Sequence, residues 1–293
     1  MKPASPAATW WMAVRPRTLG ASLVPVLIGL VYAGRTVDVD LAIAGLTAGC
    51  ALALQVATNL ANDYYDHASG IDTAERLGPP RVVQSGLLRA EDVRLAAFAA
   101  LGAALLMGGV LALRGGWPIV AIGASAAISA LAYSAGPVPL AALGFGEVLA
   151  FLYFGVLAVC GTAWLQGVAP GLELLLVASP IALLVTAIML VNNLRDIPTD
   201  RAAGKRTLAV LIGDNAARRL YGALVAGAFV ATVLLVPGLG WGCLLPSILL
   251  PLAWHEAKAV EERQGSALNL SLAGTARLHL LFGLAFAVGL ATT

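Results

Sequence analysis

Apolar residues run through this chain in long continuous blocks rich in Ala, Leu and Gly, without the strict alternation of barrel strands. Nine blocks stand out, with cores near residues 18–34, 41–61, 93–113, 117–134, 140–162, 172–193, 219–237, 239–254 and 276–291. A helix needs about 20 mostly apolar residues to cross a bilayer, so the pattern predicts an all-α polytopic membrane protein with nine crossings. The turn Pro237-Gly238-Leu239-Gly240 divides the seventh block from the eighth, and Pro246 and Pro251 are expected to kink the eighth. The first block follows Arg15 and Arg17 and contains Pro25. With no small-residue cleavage site behind it, it reads as the first membrane helix and not as a removable leader.

Composition agrees. Of 293 residues, 59% are hydrophobic and 12% charged, and the mean hydropathy is +0.86. A soluble domain carries roughly 25% charged residues, so lipid must be the solvent for most of this surface. Cys50, Cys160 and Cys243 stand singly in apolar stretches, which excludes a disulfide scaffold. A net charge of +2 gives no bulk pull toward nucleic acid. The placement of the basic residues says more. With the amino terminus in the cytoplasm, the inner side holds Lys2, Arg15 and Arg17, then Arg76, Arg81, Arg89 and Arg94. It also holds Arg195, Arg201, Lys205, Arg206, Arg218 and Arg219, and finally Lys258, Arg263 and Arg277. Only Arg35 and Arg114 fall outside, so 16 of the 18 Lys and Arg obey the positive-inside rule. Losing one crossing would invert every later loop and destroy that asymmetry. An odd count leaves the carboxyl terminus outside.

Two of the inner loops are long, and each starts from a polar cluster at the end of an apolar block. The first reads Asn59-Leu60-Ala61-Asn62-Asp63-Tyr64-Tyr65-Asp66-His67-Ala68-Ser69-Gly70, the second Asn193-Leu194-Arg195-Asp196-Ile197-Pro198-Thr199-Asp200-Arg201-Ala202-Ala203-Gly204. Offset by 134 residues, Asn, Leu, Asp and Gly coincide at four positions and Asn62 matches Asp196. The chain thus reads as one intramembrane domain over residues 1–293, built from a four-helix parallel repeat (about 15–135 and 140–254) with a ninth helix added at about 276–291. Residues i, i+3, i+4 and i+7 share a helical face, so Asn59, Asn62, Asp63 and Asp66 form one polar stripe, and Asn192, Asn193, Asp196 and Asp200 another. Four acids near the membrane surface are costly. A divalent cation would offset them, and Asp and Asn oxygens suit hard Mg²⁺, which fills its shell with water and phosphate oxygens. Arg81, Arg195, Lys205 and Arg206 nearby add positive charge, so an anion with several oxygens, such as a diphosphate, is the expected ligand.

These residues resemble the motifs of the UbiA superfamily of intramembrane prenyltransferases, one Asn/Asp-rich motif on the second helix and one on the sixth. The resemblance implies that Asn62, Asp66, Asp196 and Asp200 hold Mg²⁺, with Asp63 beside them, and through it a polyprenyl diphosphate. The 4-hydroxybenzoate branch commonly carries another Asp four positions after the one matching Asp66, where this chain has Gly70. Here the acid comes later, at Asp72. The run Gly70-Ile71-Asp72-Thr73 with Arg76, Gly78-Pro79 and Arg81 is similar to the 1,4-dihydroxy-2-naphthoate branch of menaquinone synthesis. So are Arg15-Pro16-Arg17-Thr18-Leu19, Tyr133-Ser134-Ala135-Gly136-Pro137, Gly144-Phe145-Gly146-Glu147, Gly204-Lys205-Arg206-Thr207-Leu208 and Thr275-Ala276-Arg277-Leu278-His279.

The resemblance implies Mg²⁺-dependent transfer of a polyprenyl chain to that acid, with loss of CO₂ and pyrophosphate, giving demethylmenaquinone. It also implies a bacterial inner membrane and an active site facing the cytoplasm. Another aromatic or quinoid acceptor such as 4-hydroxybenzoate is the alternative; a transporter, or a non-catalytic diphosphate or quinone binder, is a further one. Glu147 is expected to orient or deprotonate the acceptor, Tyr133 to face a cation with its ring, and Asp72 to accept a proton or support the metal ligands. His67, His255 and His279 read as surface or interfacial residues, and Trp10-Trp11 as an interfacial anchor.

Overall fold

A computed structural model describes residues 5–68, 70, 77–134 and 139–293. Among the described residues all regular structure is helical. In chain order the α-helices are α1 (Pro6–Val14), α2 (Pro16–Ala33), α3 (Leu41–Ala68), α4 (Ala90–Gly115), α5 (Trp117–Ser134), α6 (Gly146–Phe151) and α7 (Ala158–Leu165), followed by α8 (Leu172–Ala202), α9 (Leu208–Ile212), α10 (Asp214–Leu239), α11 (Leu250–Glu262) and α12 (Leu268–Ala291). A π-helical turn, Leu152–Leu157, joins α6 to α7 into one continuous rod.

Seven of these helical stretches are long and apolar enough to cross a membrane: α2, α3, α4, the α6–α7 rod, α8, α10 and the last, Gly265–Ala291. The chain is therefore a multi-pass membrane protein. The other two expected crossings take different forms. Residues 117–134 make α5, an apolar helix of less than full length. Residues 239–254 begin as a 3-10 segment, Trp241–Leu249, and turn into α11 at Leu250. Pro246 sits inside the 3-10 segment and Pro251 in the first turn of α11, where its missing N–H costs nothing. A short α1 precedes the first block, broken from α2 at Arg15, the one described non-glycine residue with positive φ (56°).

Helix α8 is the hub, packed on α2, α6, α7, α9, α10 and α12. Its apolar stretch is 67% buried, against 17% for α3, which leans mainly on α4. Two local devices let α8 sit so deep. Pro180 cannot donate to the Leu176 carbonyl, and the Ser179 hydroxyl donates to it instead at 2.7 Å. At Gly155 in the π turn, an added Cβ would lie 2.2 Å from the Ala182 Cβ, so only glycine lets the rod approach α8 this closely.

Both polar clusters lie on helix. The expected blocks ended near residues 61 and 193, but α3 runs to Ala68 and α8 to Ala202, so the clusters are the last helical turns themselves. The coinciding glycines have one cause: Gly70 (φ +70°) and Gly204 (φ +73°) each turn the chain off its helix through the left-handed region.

Candidate active site

At the end of α3, the stripe divides its work. Asn59 ties α3 to the α1–α2 break: its Nδ2 donates to the Val14 carbonyl and to Thr18 Oγ1, both at 2.9 Å, and its Oδ1 accepts from Gln55 Nε2 at 3.1 Å. Asp63 is 1% exposed and holds the following loop, accepting from the Val82 amide on Oδ2 (3.2 Å) and the Val83 amide on Oδ1 (3.1 Å). Asp63, expected as a metal ligand, thus also fixes a loop. That loop carries Arg81, whose Nη2 lies 2.6 Å from Asp66 Oδ2 and whose Nη1 donates to the Asn62 carbonyl.

At the end of α8, Arg195 is 2% exposed and grips its neighbour Asp196 with two bonds, Nε to Oδ1 at 2.7 Å and Nη2 to Oδ2 at 2.5 Å. The same guanidinium donates to Asn192 Oδ1 (2.9 Å) and Asn269 Oδ1 (2.8 Å). Asn269 on α12 in turn donates to the Leu77 carbonyl at 2.8 Å, linking the α8 cluster to the loop after α3. Arg195, expected to meet a diphosphate, lines the cavity below and holds Asp196 in place. Lys205 lies 3.7 Å from Asp200 Oδ1, while its amide closes α8 on the Asp200 carbonyl at 2.8 Å.

These ends meet around one cavity of about 980 Å³. Its lining includes Asn59, Asn62, Asp63, Asp66, Arg81, Tyr133, Asn192, Asn193, Arg195, Asp196, Asp200 and Lys205. Away from that polar end the walls are apolar, with Leu54, Ala104, Leu111, Ile119, Ile122 and Leu165 from α3, α4, α5 and α7. Of the residues singled out from sequence, Asp72 lies outside the described residues, and Glu147 is buried behind the wall, bonded to Asn193, without lining the cavity. Tyr133 does line it, its hydroxyl 3.6 Å from Met189 Sδ. His279 is buried at 1% exposure on α12, not interfacial as expected. Trp11 is exposed while Trp10 packs partly against the buried cluster that includes Ala13 and Leu60.

Three lining residues escaped notice as site residues: Arg15 and Arg17 at the polar end, and Asn269. The basic pair around Pro16 was a usable signal, because proline opens a helix and fixes where its flanking side chains start. Asn269 has no local motif.

Electrostatics correct one argument. The acids were expected to lack compensation within the protein, yet Asp66, Asp196 and Asp200 each have a basic partner, Arg81, Arg195 and Lys205 respectively. The case for a metal rests instead on donor chemistry. Among the described residues, no three His, Cys, Asp or Glu side chains cluster closely enough to hold an ion by themselves. Four carboxylates and several amide oxygens nevertheless line one polar cavity end. Mg²⁺ needs only one or two carboxylates, its remaining positions going to water and phosphate oxygens, so this spread-out, all-oxygen set fits it.

A bundle of membrane helices with an acidic-and-basic cavity end leading into an apolar one belongs to the class that handles amphiphiles with an anionic head. The chain is a member of the UbiA prenyltransferase family, whose model matches residues 22–291. It is 38% identical over 288 residues to the 1,4-dihydroxy-2-naphthoate octaprenyltransferase of Mycobacterium tuberculosis, covering 97% of each chain. It is 33% identical over 283 residues to the enzyme of the same name from Bacillus subtilis, covering 96% of this chain and 91% of that one. Its fold matches a UbiA homolog from Archaeoglobus fulgidus bound to GPP and Mg²⁺ with a TM-score of 0.67 at 15% identity, covering 97% of this chain and all of the other. The protein is a polyprenyltransferase.

Proposed function

We propose that this enzyme transfers a polyprenyl group from its diphosphate to 1,4-dihydroxy-2-naphthoate, at the ring carbon that bears the carboxylate. The observation that carries this reading is the cavity, with carboxylates from two matching helix ends at one end and an apolar continuation at the other. The names of the full-length relatives support the acceptor, and the bound GPP and Mg²⁺ of the archaeal homolog support the donor and the metal. In the reaction the allylic C–O bond breaks and its electron pair leaves with pyrophosphate. The ring carbon bonds to the prenyl carbon, the ring–carboxylate bond gives its pair back to the ring, and CO₂ departs. The product is the reduced, diol form of demethylmenaquinone.

The chain's residues divide this work. Asn62, Asp66, Asp196 and Asp200 would hold Mg²⁺, which when bound supplies neutralising charge for the departing pyrophosphate. Arg195 keeps Asp196 in one orientation, and Lys205, with Arg15 and Arg17, faces the diphosphate. The apolar walls take the prenyl tail and keep water from its cationic end. Nine crossings in a four-helix repeat plus one, an inner membrane of a bacterium and a cytoplasmic cavity mouth complete the reading. The basic-residue asymmetry supports it, since Arg35 comes between the end of α2 and the start of α3, and Arg114 in the last turn of α4, whereas Asp66 and Asp200 stand at the ends of α3 and α8.

The test is purified protein with Mg²⁺, a polyprenyl diphosphate and either 1,4-dihydroxy-2-naphthoate or 4-hydroxybenzoate, followed by pyrophosphate release. Asp66→Asn and Asp200→Asn should each lose activity by roughly 100-fold or more, as expected for groups that hold transition-state charge. Full activity in both variants, or no release with any acceptor, sinks the reading; turnover of 4-hydroxybenzoate alone replaces the acceptor.

A further inference from the structure

Glu147 is 3% exposed, in the first turn of α6, and contributes nothing to the cavity wall, yet it touches a residue that does. Its Oε1 accepts from Asn193 Nδ2 at 2.9 Å, and its Oε2 is buried with no hydrogen-bond partner. A carboxylate can only accept, so it decides which way round the Asn193 amide sits: nitrogen toward Glu147, oxygen away from it. Asn193 itself lines the cavity, and its Oδ1 has no donor among the described residues.

The pseudo-equivalent residue shows what this means. Asn59 occupies the matching place on α3, and there both ends of the amide are used up, Oδ1 by Gln55 and Nδ2 by Val14 and Thr18. Asn193 spends only its nitrogen. Around it the packing is close: a Cβ on Gly146 would lie 3.3 Å from the Tyr133 hydroxyl and 3.6 Å from Asn193 Nδ2. The amide is thus held from behind by Glu147, beside the Tyr133 hydroxyl, with an acceptor oxygen presented to the cavity.

Resting on the transferase reading above, we infer that Glu147 is a positioning residue that fixes Asn193 so that its Oδ1 accepts a hydrogen bond from a ring hydroxyl of the aromatic acceptor. Such a bond draws the hydroxyl proton outward and leaves the ring richer in electrons where it must attack. It also selects a hydroxylated ring over one without that group, because an unmatched buried oxygen would oppose binding.

The experiment is steady-state kinetics of the full-length enzyme in detergent, with the acceptor, the prenyl diphosphate and Mg²⁺ varied separately. Asn193→Leu and Glu147→Met should each raise the acceptor KM about tenfold, the factor one neutral hydrogen bond carries, while leaving the prenyl diphosphate KM and the Mg²⁺ requirement within about twofold. Glu147→Gln keeps a carbonyl for Asn193 Nδ2 and should recover most of the loss. An acceptor with its ring hydroxyls methylated should bind wild type and Asn193→Leu alike. If Glu147→Met does not fold, Asn193→Leu carries the same test. An unchanged acceptor KM in a folded Asn193→Leu or Glu147→Met variant overturns the inference alone, as does a shift confined to the diphosphate or to Mg²⁺. Wild-type protein that releases no pyrophosphate overturns the transferase reading and this inference together.

Discussion

Asp66 at the end of α3 and Asp196 at the end of α8 each carry an arginine on the carboxylate, but the two arginines arrive by different routes. Arg195 is the preceding residue on the same helix, 2% exposed, and its other donors reach Asn192 and Asn269. Arg81 comes from a loop whose next two amides, Val82 and Val83, bond to Asp63. The helices differ in the same sense, α8 being the buried hub and α3 a flank with 17% of its apolar stretch covered. One half of the site is therefore built into the hub helix, and the other is assembled by a strap that Asp63 and the small buried cluster around Val82 and Val83 hold against α3 and α4.

The largest effect should come from Arg195→Met, which strands Asp196 and the Asn192 and Asn269 oxygens. Breaking a buried ion pair from one side costs about 3–5 kcal/mol, so both thermal stability in detergent and turnover should fall steeply. Stability equal to wild type would contradict the picture of a half built into the hub helix. Asp63→Ala comes next: it leaves the Val82 and Val83 amides without acceptors, worth about 1–3 kcal/mol. Limited proteolysis should then cut within residues 77–89 while the bundle melts almost as before; cutting elsewhere first would remove the distinction between strap and core. Asn269→Ala removes the tie between the two halves and should lower turnover by about tenfold, less in an Arg195→Met background than in wild type because the two act through one network. Full additivity would show that no such network exists. Lys205→Met should be the mildest for folding, since an ion pair at 3.7 Å contributes less than about 1 kcal/mol. Its expected signature is a raised KM for the prenyl diphosphate at unchanged melting temperature, and an unchanged KM would take Lys205 out of the diphosphate site.

Much of this was readable along the chain because lipid leaves few places for charge. Asn62, Asp66, Asp196 and Asp200 were legible as one site from their spacing and their repeat. What helical phase cannot reveal is which polar atoms are already spoken for. Asp63 shares a face with Asp66 and was read as a ligand, and the bonds its oxygens accept from a loop nineteen residues away could not be read from the sequence. Arg195 was read only as a diphosphate contact because it is basic and adjacent, and its bonds to Asp196, Asn192 and Asn269 could not be read from the sequence. Glu147 was read as an acceptor-facing residue, and in the structure it stands behind the cavity wall, in the first turn of α6. Asn269 was invisible, being a polar residue in no local motif, 74 positions from its partner Arg195.

The π turn at Leu152–Leu157 has a bearing on how the cavity wall is made. Along this rod, Leu149, Tyr153, Leu157, Gly161 and Leu165 all line the cavity, a spacing of four. In a regular α-helix each such step overshoots a full turn by about 40°, so the last of the five would be rotated by roughly 160° from the first and face lipid. A wider turn in the middle takes up about one residue of that drift and keeps the row of side chains aligned as a single tread. Length along the membrane normal is thereby converted into continuous wall. Shortening the rod by one residue at that point would be a rotation and not a mere contraction, swinging the Gly161 and Leu165 end out of the path of any long hydrocarbon tail.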